Sequence, residues 1–223
     1  MTAEEERNEP IRQLLAGFKA FRATYYERKP DGMRQLVTNG QHPQVLLIGC
    51  SDSRVDPALL TMAEPGELFV VRNVANLVPP YQPDGHYHGT SAAIEFAVRV
   101  LEVSHIVVMG HAQCGGIRGL IRLRMGESLE GDFVAPWVSM ASGALDQYVC
   151  ENDTASDPEW LLQHQEEIER AVIRTSAENL MTFPFVRERV EAGTLEIHGW
   201  WFDLEKGAIW KLSADHKDFR PVE

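Results

Sequence analysis

Three short apolar segments along the chain predict strands that are buried on both faces. They lie at residues 45–48, 68–71 and 106–109, and a glycine directly follows the first and the third. Strands that are apolar at every position are typical of a parallel sheet covered by helices on both sides. An apolar stripe at helical spacing over residues 91–103 predicts such a helix between two of the strands. This alternation predicts an α/β fold built from right-handed βαβ units.

The two ends of the chain add an N-terminal helix and an edge hairpin. Apolar residues recur every three or four positions over residues 11–25, which predicts an amphipathic helix whose apolar face needs a partner. Apolar and polar side chains alternate over residues 194–202, and a short apolar run at residues 209–212 follows a turn. Together the two segments predict a hairpin at the sheet edge. Further helices are predicted at residues 136–148, 158–181 and 184–190.

Composition and charge limit the class of protein and its partners. Of the 223 residues, 44% are hydrophobic and 24% are charged. A chain of this length and composition can form one hydrophobic core without disulfide bonds. We expect a flexible N-terminus at residues 1–9 and one domain over residues 10–223. The net charge of −12 argues against nucleic acid and membranes as partners. Three cysteines, no signal peptide and no long apolar run predict a cytoplasmic protein with reduced thiols.

Cysteine and histidine follow the ends of two predicted strands. Cys50 comes after Gly49, His111 comes after Gly110, and Cys114 is three residues further on. Each of these three residues, taken alone, is typical of a protein core. In open α/β sheets, however, ligands bind beyond the carboxyl ends of the strands. We therefore expect the three side chains to converge there. Two thiolates and one imidazole suit zinc, and three protein ligands leave a fourth position for water, as in catalytic sites.

A carboxylate and a guanidinium follow the first of these cysteines. Asp52 and Arg54 share a face of an extended loop, so Arg54 can hold Asp52 ionised and oriented through a bidentate contact. Asp52 would then either bind the metal or accept a hydrogen bond from water on it. Gly115 and Gly116 leave space beside the metal and offer N–H donors to an anion.

Both motifs together resemble the β class of carbonic anhydrases. Cys50-x-Asp52-x-Arg54 followed by His111-x-x-Cys114 is similar to the paired signature of that family. Further similar stretches lie at residues 65–76, 92–97, 183–190 and 197–200. The resemblance implies one zinc ion per subunit, held by the two cysteines and the histidine. It also implies a four-stranded, mostly parallel sheet with an added antiparallel edge strand, flanked by helices, and a protruding N-terminal helix.

The resemblance implies a reaction: the reversible hydration of carbon dioxide to bicarbonate and a proton, by attack of zinc-bound hydroxide. Asp52 would accept the hydroxide proton, Arg54 would keep Asp52 off the metal, and in a closed form Asp52 would itself bind zinc. Since two thiolates lower the charge on zinc, we expect activity to rise above neutral pH. The amide of Gln41 and the N–H of Gly115 would donate to a substrate oxygen. By family position, the apolar wall that holds carbon dioxide would consist of Phe69, Val74 and Phe96.

The resemblance also implies a subtype and an assembly. Gln41 lies nine residues before Cys50, as in the plant-like subtype, where this glutamine reaches the active site across a dimer interface. The other subtype has a tryptophan where this chain has Leu47, although Gly49 is commoner in that subtype and Phe96 replaces the usual plant tyrosine. We expect a homodimer, with tetramers or octamers as larger assemblies, in which N-terminal helices contact the neighbouring subunit.

Several alternatives stay open from the sequence. A carbonyl sulfide or carbon disulfide hydrolase would keep the fold and change the substrate. A structural zinc protein would have a closed site with Asp52 as fourth ligand, and a pH-gated enzyme would open that site as pH rises. His86 and His88 are candidates for a proton shuttle or a second metal, although solvated loop histidines are the simpler interpretation.

Overall fold

The computed structural model describes residues 3–152, 158–214 and 216–222, which belong to two compact units. The first unit is Met1–His42 and the second is Pro43–Glu223. Of the helices in the described part of the chain, none combines the length and the apolar character that a bilayer crossing requires.

Helices make up most of the N-terminal unit. Helix α1 spans Ala3–Arg22, a π-helical segment follows at Ala23–Arg28, and α2 spans Pro30–Asn39. The predicted amphipathic helix is therefore present, but it begins at Ala3 and not near Ile11, since alanine and glutamate favour helix without contributing to an apolar stripe. The proposed boundary between residues 9 and 10 stays a prediction.

A sheet lies at the centre of the second unit, and its described part has six strands in the order β2-β1-β3-β4-β5-β6. The strands are β1 (Val45–Cys50), β2 (Leu68–Asn73), β3 (His105–His111), β4 (Glu196–Asp203), β5 (Ala208–Leu212) and β6 (Phe219–Pro221). β1 to β4 pair in parallel, and β5 and β6 add on antiparallel. This confirms the predicted α/β fold, with β6 as an extra strand that was too short and polar to give a pattern.

Helices connect and cover the strands. They are α3 (Pro57–Thr61), α4 (Gly89–Glu95), α5 (Gly115–Arg124), α6 (Val134–Ser139), α7 (Ser142–Asn152), α8 (Pro158–Gln163), α9 (Gln165–Leu180) and α10 (Pro184–Glu191). A π-helical turn at Phe96–Val100 extends α4. The single helix predicted at residues 158–181 is two helices, because the backbone of His164 leaves the helical conformation between α8 and α9.

Helix α9 packs closely against the sheet and so fixes one side of the site. A Cβ on Gly110 of β3 would lie 2.7 Å from Cδ1 of Ile173, a residue of α9 that is fully buried. The absence of a side chain at Gly110 therefore allows a close approach of helix to strand. This contact sets how near the polar residues of α9 come to the end of β3.

Candidate metal centre

The carboxyl ends of two adjacent strands carry the first two predicted ligands. Cys50 is the last residue of β1 and His111 is the last residue of β3, and these strands pair in parallel at the centre of the sheet. The chain leaves β1 toward β2 on one side, whereas β3 lies on the other side. The ligands thus lie where the strand order reverses, which is the common place for binding sites in open α/β sheets.

All three predicted ligands converge, with Cys114 entering just before α5. The thiol sulfurs and a ring nitrogen of Cys50, Cys114 and His111 lie within 4.8 Å of one another. The two sulfur atoms are 3.9 Å apart. In a tetrahedral zinc site with Zn–S bonds of about 2.3 Å, the sulfurs would lie about 3.8 Å apart. The spacing therefore fits zinc.

His111 offers a bare nitrogen to this cluster. Its Nδ1 lies 2.8 Å from the carbonyl oxygen of Ala112, and because that oxygen can only accept, Nδ1 carries the proton. Nε2 then keeps a free lone pair, yet it is buried and has no hydrogen-bond partner among the described residues. A buried acceptor without a donor is costly, so the residues present fit a metal ion that Nε2 would bind.

The two buried thiols compete for negative charge when no metal is bound. The pKa of Cys50 is lowered, chiefly because the Cys114 thiol donates a hydrogen bond to its thiolate, although burial opposes the shift. The same thiol pair raises the pKa of Cys114, and burial adds to that rise. A divalent cation would resolve the conflict because it stabilises both thiolates together.

The Asp52 side chain is held beside this cluster by Arg54. Nε of Arg54 donates to Oδ1 at 3.0 Å and Nη2 donates to Oδ2 at 2.7 Å. These bonds hold the pKa of Asp52 well below its usual range, although its burial opposes them. Oδ2 of Asp52 lies 3.9 Å from Nε2 of His111. The structure therefore brings an ionised, oriented carboxylate to the edge of the metal centre, with Arg54 bound to both of its oxygens.

Arg72 fixes the loop that carries Asp52, and the sequence analysis missed it. Its Nε donates to the carbonyl of Cys50 at 2.9 Å, and its Nη2 donates to the carbonyl of Asp52 at 2.7 Å. Its third contact is an ion pair with Asp56 at 2.9 Å. A signal was present, because an arginine near the end of an otherwise apolar strand needs local acceptors.

Glu169 of α9 supports the other side of the centre and was also missed. It is 2% exposed and accepts hydrogen bonds from the Cys114 backbone N–H at 2.8 Å and from Nε1 of Trp201 at 3.1 Å. Nε2 of Gln165 lies 2.7 Å from the same carboxylate and 3.0 Å from the Cys114 carbonyl. Burial raises the pKa of Glu169, and these donors oppose the rise. The available signal was an acidic residue on the apolar face of a predicted helix.

Two of the predicted substrate-binding residues lie near the start of α5. Gly115 is the first residue of that helix, and a Cβ there would meet nothing within 4 Å, so space is open beside Cys114. Val74 is close by, because a Cβ on Gly116 would lie 2.8 Å from its Cγ1. Val74 is 38% exposed, so its side chain is available to a small apolar molecule.

Phe69 and Phe96 contact each other, and Phe69 lies at the other end of the strand pair from Cys50. The rings of Phe69 and Phe96 stack with centroids 5.8 Å apart. Phe69 pairs with Leu46, four residues before Cys50, which corresponds to about 13 Å along the strand. Gln41 belongs to the N-terminal unit and is exposed. The substrate-binding roles of these residues stay predictions.

The two predicted loop histidines, His86 and His88, both contact Asp84. His88 Nε2 lies 2.6 Å from a carboxylate oxygen of Asp84, and His86 donates its backbone N–H to the same carboxylate. The pair with His88 lowers the pKa of Asp84. These contacts give the loop a defined shape, and the shuttle role stays a prediction.

Comparisons with known proteins agree on one family. The family model described as carbonic anhydrase matches residues 45–209. A carbonic anhydrase of Synechococcus elongatus is 38% identical over 210 residues, which cover 93% of this chain and 74% of that protein. The solved structure of the β-carbonic anhydrase CcaA aligns with a TM-score of 0.83 and 36% identity, covering 95% of this chain and 99% of that chain.

A second solved structure extends the comparison to fungi. It comes from work on two tetrameric β-carbonic anhydrases of the filamentous ascomycete Sordaria macrospora, and it aligns with a TM-score of 0.77 and 30% identity. The alignment covers 92% of this chain and 98% of that chain. The family match over residues 45–209 spans both motifs of the metal centre, and the chain therefore belongs to the β-carbonic anhydrase family.

Proposed function

We propose that this protein catalyses the reversible hydration of carbon dioxide to bicarbonate and a proton at a zinc ion held by Cys50, His111 and Cys114. The observation that carries the proposal is the buried, unpartnered Nε2 of His111 beside two thiols whose sulfurs are 3.9 Å apart. Family membership supports the reaction class. Zinc in such a site supplies a Lewis acid that lets water ionise near neutral pH.

Asp52 is the proposed acceptor that orients the nucleophile. Each carboxylate oxygen has two lone pairs, and the bonds from Arg54 leave lone pairs free on Oδ2. That oxygen, 3.9 Å from Nε2 of His111, can accept a hydrogen bond from the attacking oxygen and so direct its lone pair at carbon dioxide. Arg54 keeps the carboxylate ionised and away from the metal, which favours the open form over Asp52 as a fourth ligand.

The proposed substrate pocket combines amide donors with an apolar wall. The N–H of Gly115 and the amide of Gln41 donate to a substrate oxygen, as in the plant-like subtype. Phe69, Val74 and Phe96 form the wall, which gives dispersion contacts to a small nonpolar molecule. Since Phe69 pairs with Leu46 and not near Cys50, we propose that a second subunit supplies part of this wall.

A homo-oligomer is part of the proposal. The two β-carbonic anhydrases of Sordaria macrospora are tetrameric. Helix α1 carries a row of apolar side chains that are more than half exposed, namely Ile11, Leu14, Leu15 and Phe18. We propose a dimer that buries this row, with a tetramer as a further assembly. A cytoplasmic location fits the free thiols of Cys50, Cys114 and Cys150.

The experiment measures zinc content and the carbon dioxide hydration rate of the wild type and of Cys114→Ser. We expect one zinc per subunit and rapid hydration in the wild type, and a loss of both in the variant. Cys150→Ser is the matched control. Because Cys150 is exposed, this substitution should leave the zinc content and the hydration rate unchanged. Full zinc and full rate in Cys114→Ser would refute the ligand assignment, and a higher kcat/KM for carbonyl sulfide would refute the substrate.

A further inference from the structure

A second group of ligand-type side chains lies at the other end of the sheet. His105 is the first residue of β3 and Glu196 is the first residue of β4, and His198 is two residues along β4. His105 is six residues before His111, which places it about 20 Å along the strand from the cysteine centre. The two groups are therefore separate.

Sheet register brings these three side chains together. His105 pairs directly with Glu196, and His198 projects from the same face as Glu196 because side chains alternate along a strand. Nδ1 of His105 and Nε2 of His198 are 3.1 Å apart. Oε2 of Glu196 lies 3.7 Å from the first of these atoms and 3.8 Å from the second.

The spacing matches that of ligands around one metal ion. With metal–nitrogen and metal–oxygen bonds of about 2.0–2.2 Å, tetrahedral ligands lie about 3.3–3.5 Å apart. The three distances lie within a few tenths of an ångström of that range, and the side chains are between 30% and 68% exposed, so an ion can reach them from solvent. Two imidazoles and one carboxylate also form a known ligand set for zinc.

Hydrogen bonding alone does not satisfy this group. A single proton can join the two ring nitrogens, whereas the Glu196 oxygen is more than 3.6 Å from both and so makes no hydrogen bond to either. When each imidazole carries its proton on its other ring nitrogen, all three atoms present lone pairs to a common point. A divalent cation at that point would be bound by all three, on a paired-strand scaffold that holds their spacing.

We propose that His105, Glu196 and His198 form a second metal site, which binds a divalent transition-metal ion such as Zn²⁺. The bound ion links β3 to β4 at the amino ends of the strands and leaves a further position to water. It stabilises the folded chain by mass action and takes no part in the proposed hydration reaction. The second site is independent of that reaction, because different residues form it.

The test uses the native oligomer with its cysteine centre loaded with zinc. Equilibrium dialysis against Zn²⁺, followed by metal analysis, should give two equivalents per subunit in the wild type. His198→Ala and Glu196→Gln should each give one equivalent and unchanged hydration activity. His216→Ala, which removes an exposed histidine outside the group, is the matched control and should keep two equivalents.

Thermal unfolding gives a second readout. Added Zn²⁺ should raise the Tm of the zinc-loaded wild type and of His216→Ala, and it should leave the Tm of His198→Ala unchanged. Binding of one equivalent by the wild type, as would occur if the assembly covered the group, would overturn the proposal. So would retention of the second equivalent in a His105→Ala/His198→Ala double variant that keeps full hydration activity.

Discussion

Single charged groups set the chemistry of the candidate metal centre. Asp52 is kept ionised by Arg54, and Glu169 is buried with three donors that include the Cys114 backbone. The Asp52 carboxylate faces the space beside His111. The Glu169 carboxylate accepts a hydrogen bond from the backbone of Cys114 and so fixes the position of that candidate ligand. We therefore predict different effects for Asp52→Asn and for Glu169→Gln.

Asp52→Asn should lower kcat by about 10²–10⁴-fold, because a neutral amide is a weaker acceptor for the nucleophile's proton. Zinc content should stay at the wild-type level, since Asp52 is not a ligand in the open form. Stopped-flow hydration with metal analysis measures both. Loss of zinc with the loss of rate would instead show that Asp52 binds the metal.

Glu169→Gln should weaken zinc binding by about 10–100-fold, because the amide replaces one acceptor oxygen with a donor that faces other donors. Competition with a chelator measures the affinity. Glu178→Gln changes an exposed residue of the same helix and should have no effect. Equal affinities in the wild type and Glu169→Gln would contradict the bracing role.

The Asp52–Arg54 pair should also make stability depend on pH. The pKa of Asp52 is lowered in the folded chain, so the pair stabilises the fold above the unfolded pKa of about 3.9 and is lost as pH falls toward the folded value. The difference in free energy of unfolding between the wild type and Arg54→Ala should be constant at neutral pH and shrink below pH ~4. Urea unfolding with a chelator measures it, and Arg34→Ala, which removes an exposed ion pair, should show no such change.

At the scale of elements, the contact between β3 and α9 aligns the two sides of the centre. Gly110 of β3 lies one residue before His111, and Ile173 of α9 lies four residues after Glu169, on the same helical face. A shift in this contact would move a ligand relative to its support. Packing here should therefore affect both stability and metal binding.

Gly110→Ala should destabilise the protein by about 1–3 kcal/mol, because the added methyl would lie 2.7 Å from Ile173. Denaturant unfolding measures the loss, and Ile173→Val should recover part of it in the double variant. Gly143→Ala on α7 has open space and should be neutral or stabilising. Equal stability of Gly110→Ala and the wild type would show that the helix is free to move away.

Secondary structure was predictable where the pattern was local. The runs that became β1, β2 and β3 were read within a few residues, and the Cys50 and His111 motifs followed from where those runs end. Arg72 and Glu169 were missed because their roles depend on which carbonyl or N–H lies opposite after folding. Sequence spacing gives no such information for partners that are 22 and 55 residues away.

At the scale of the whole molecule, the active site is proposed to need more than one chain. Phe69 pairs with Leu46, about 13 Å along the strand from Cys50, and an apolar row on α1 is exposed. A second copy would supply the wall and cover the row. Assembly and activity should therefore be lost together.

The double variant Leu14→Glu/Phe18→Glu should sediment as a smaller species than the wild type, because charges placed on the α1 row oppose its burial. Analytical ultracentrifugation measures the size, and hydration activity should fall in parallel. Gln13→Glu, at an exposed polar position of the same helix, should leave the assembly intact. A double variant of unchanged size would show that another surface holds the oligomer.

The sequence by itself determined the parallel strands, the convergence of Cys50, His111 and Cys114, and the Asp52–Arg54 pair, because each depends on residues that are neighbours along the chain or on adjacent strand ends. Only the tertiary structure decided that β6 joins the sheet, that Glu169 braces Cys114, and that His105, Glu196 and His198 meet on one face. These depend on strand register and helix packing, which bring together residues far apart in the chain and leave no periodic mark in it.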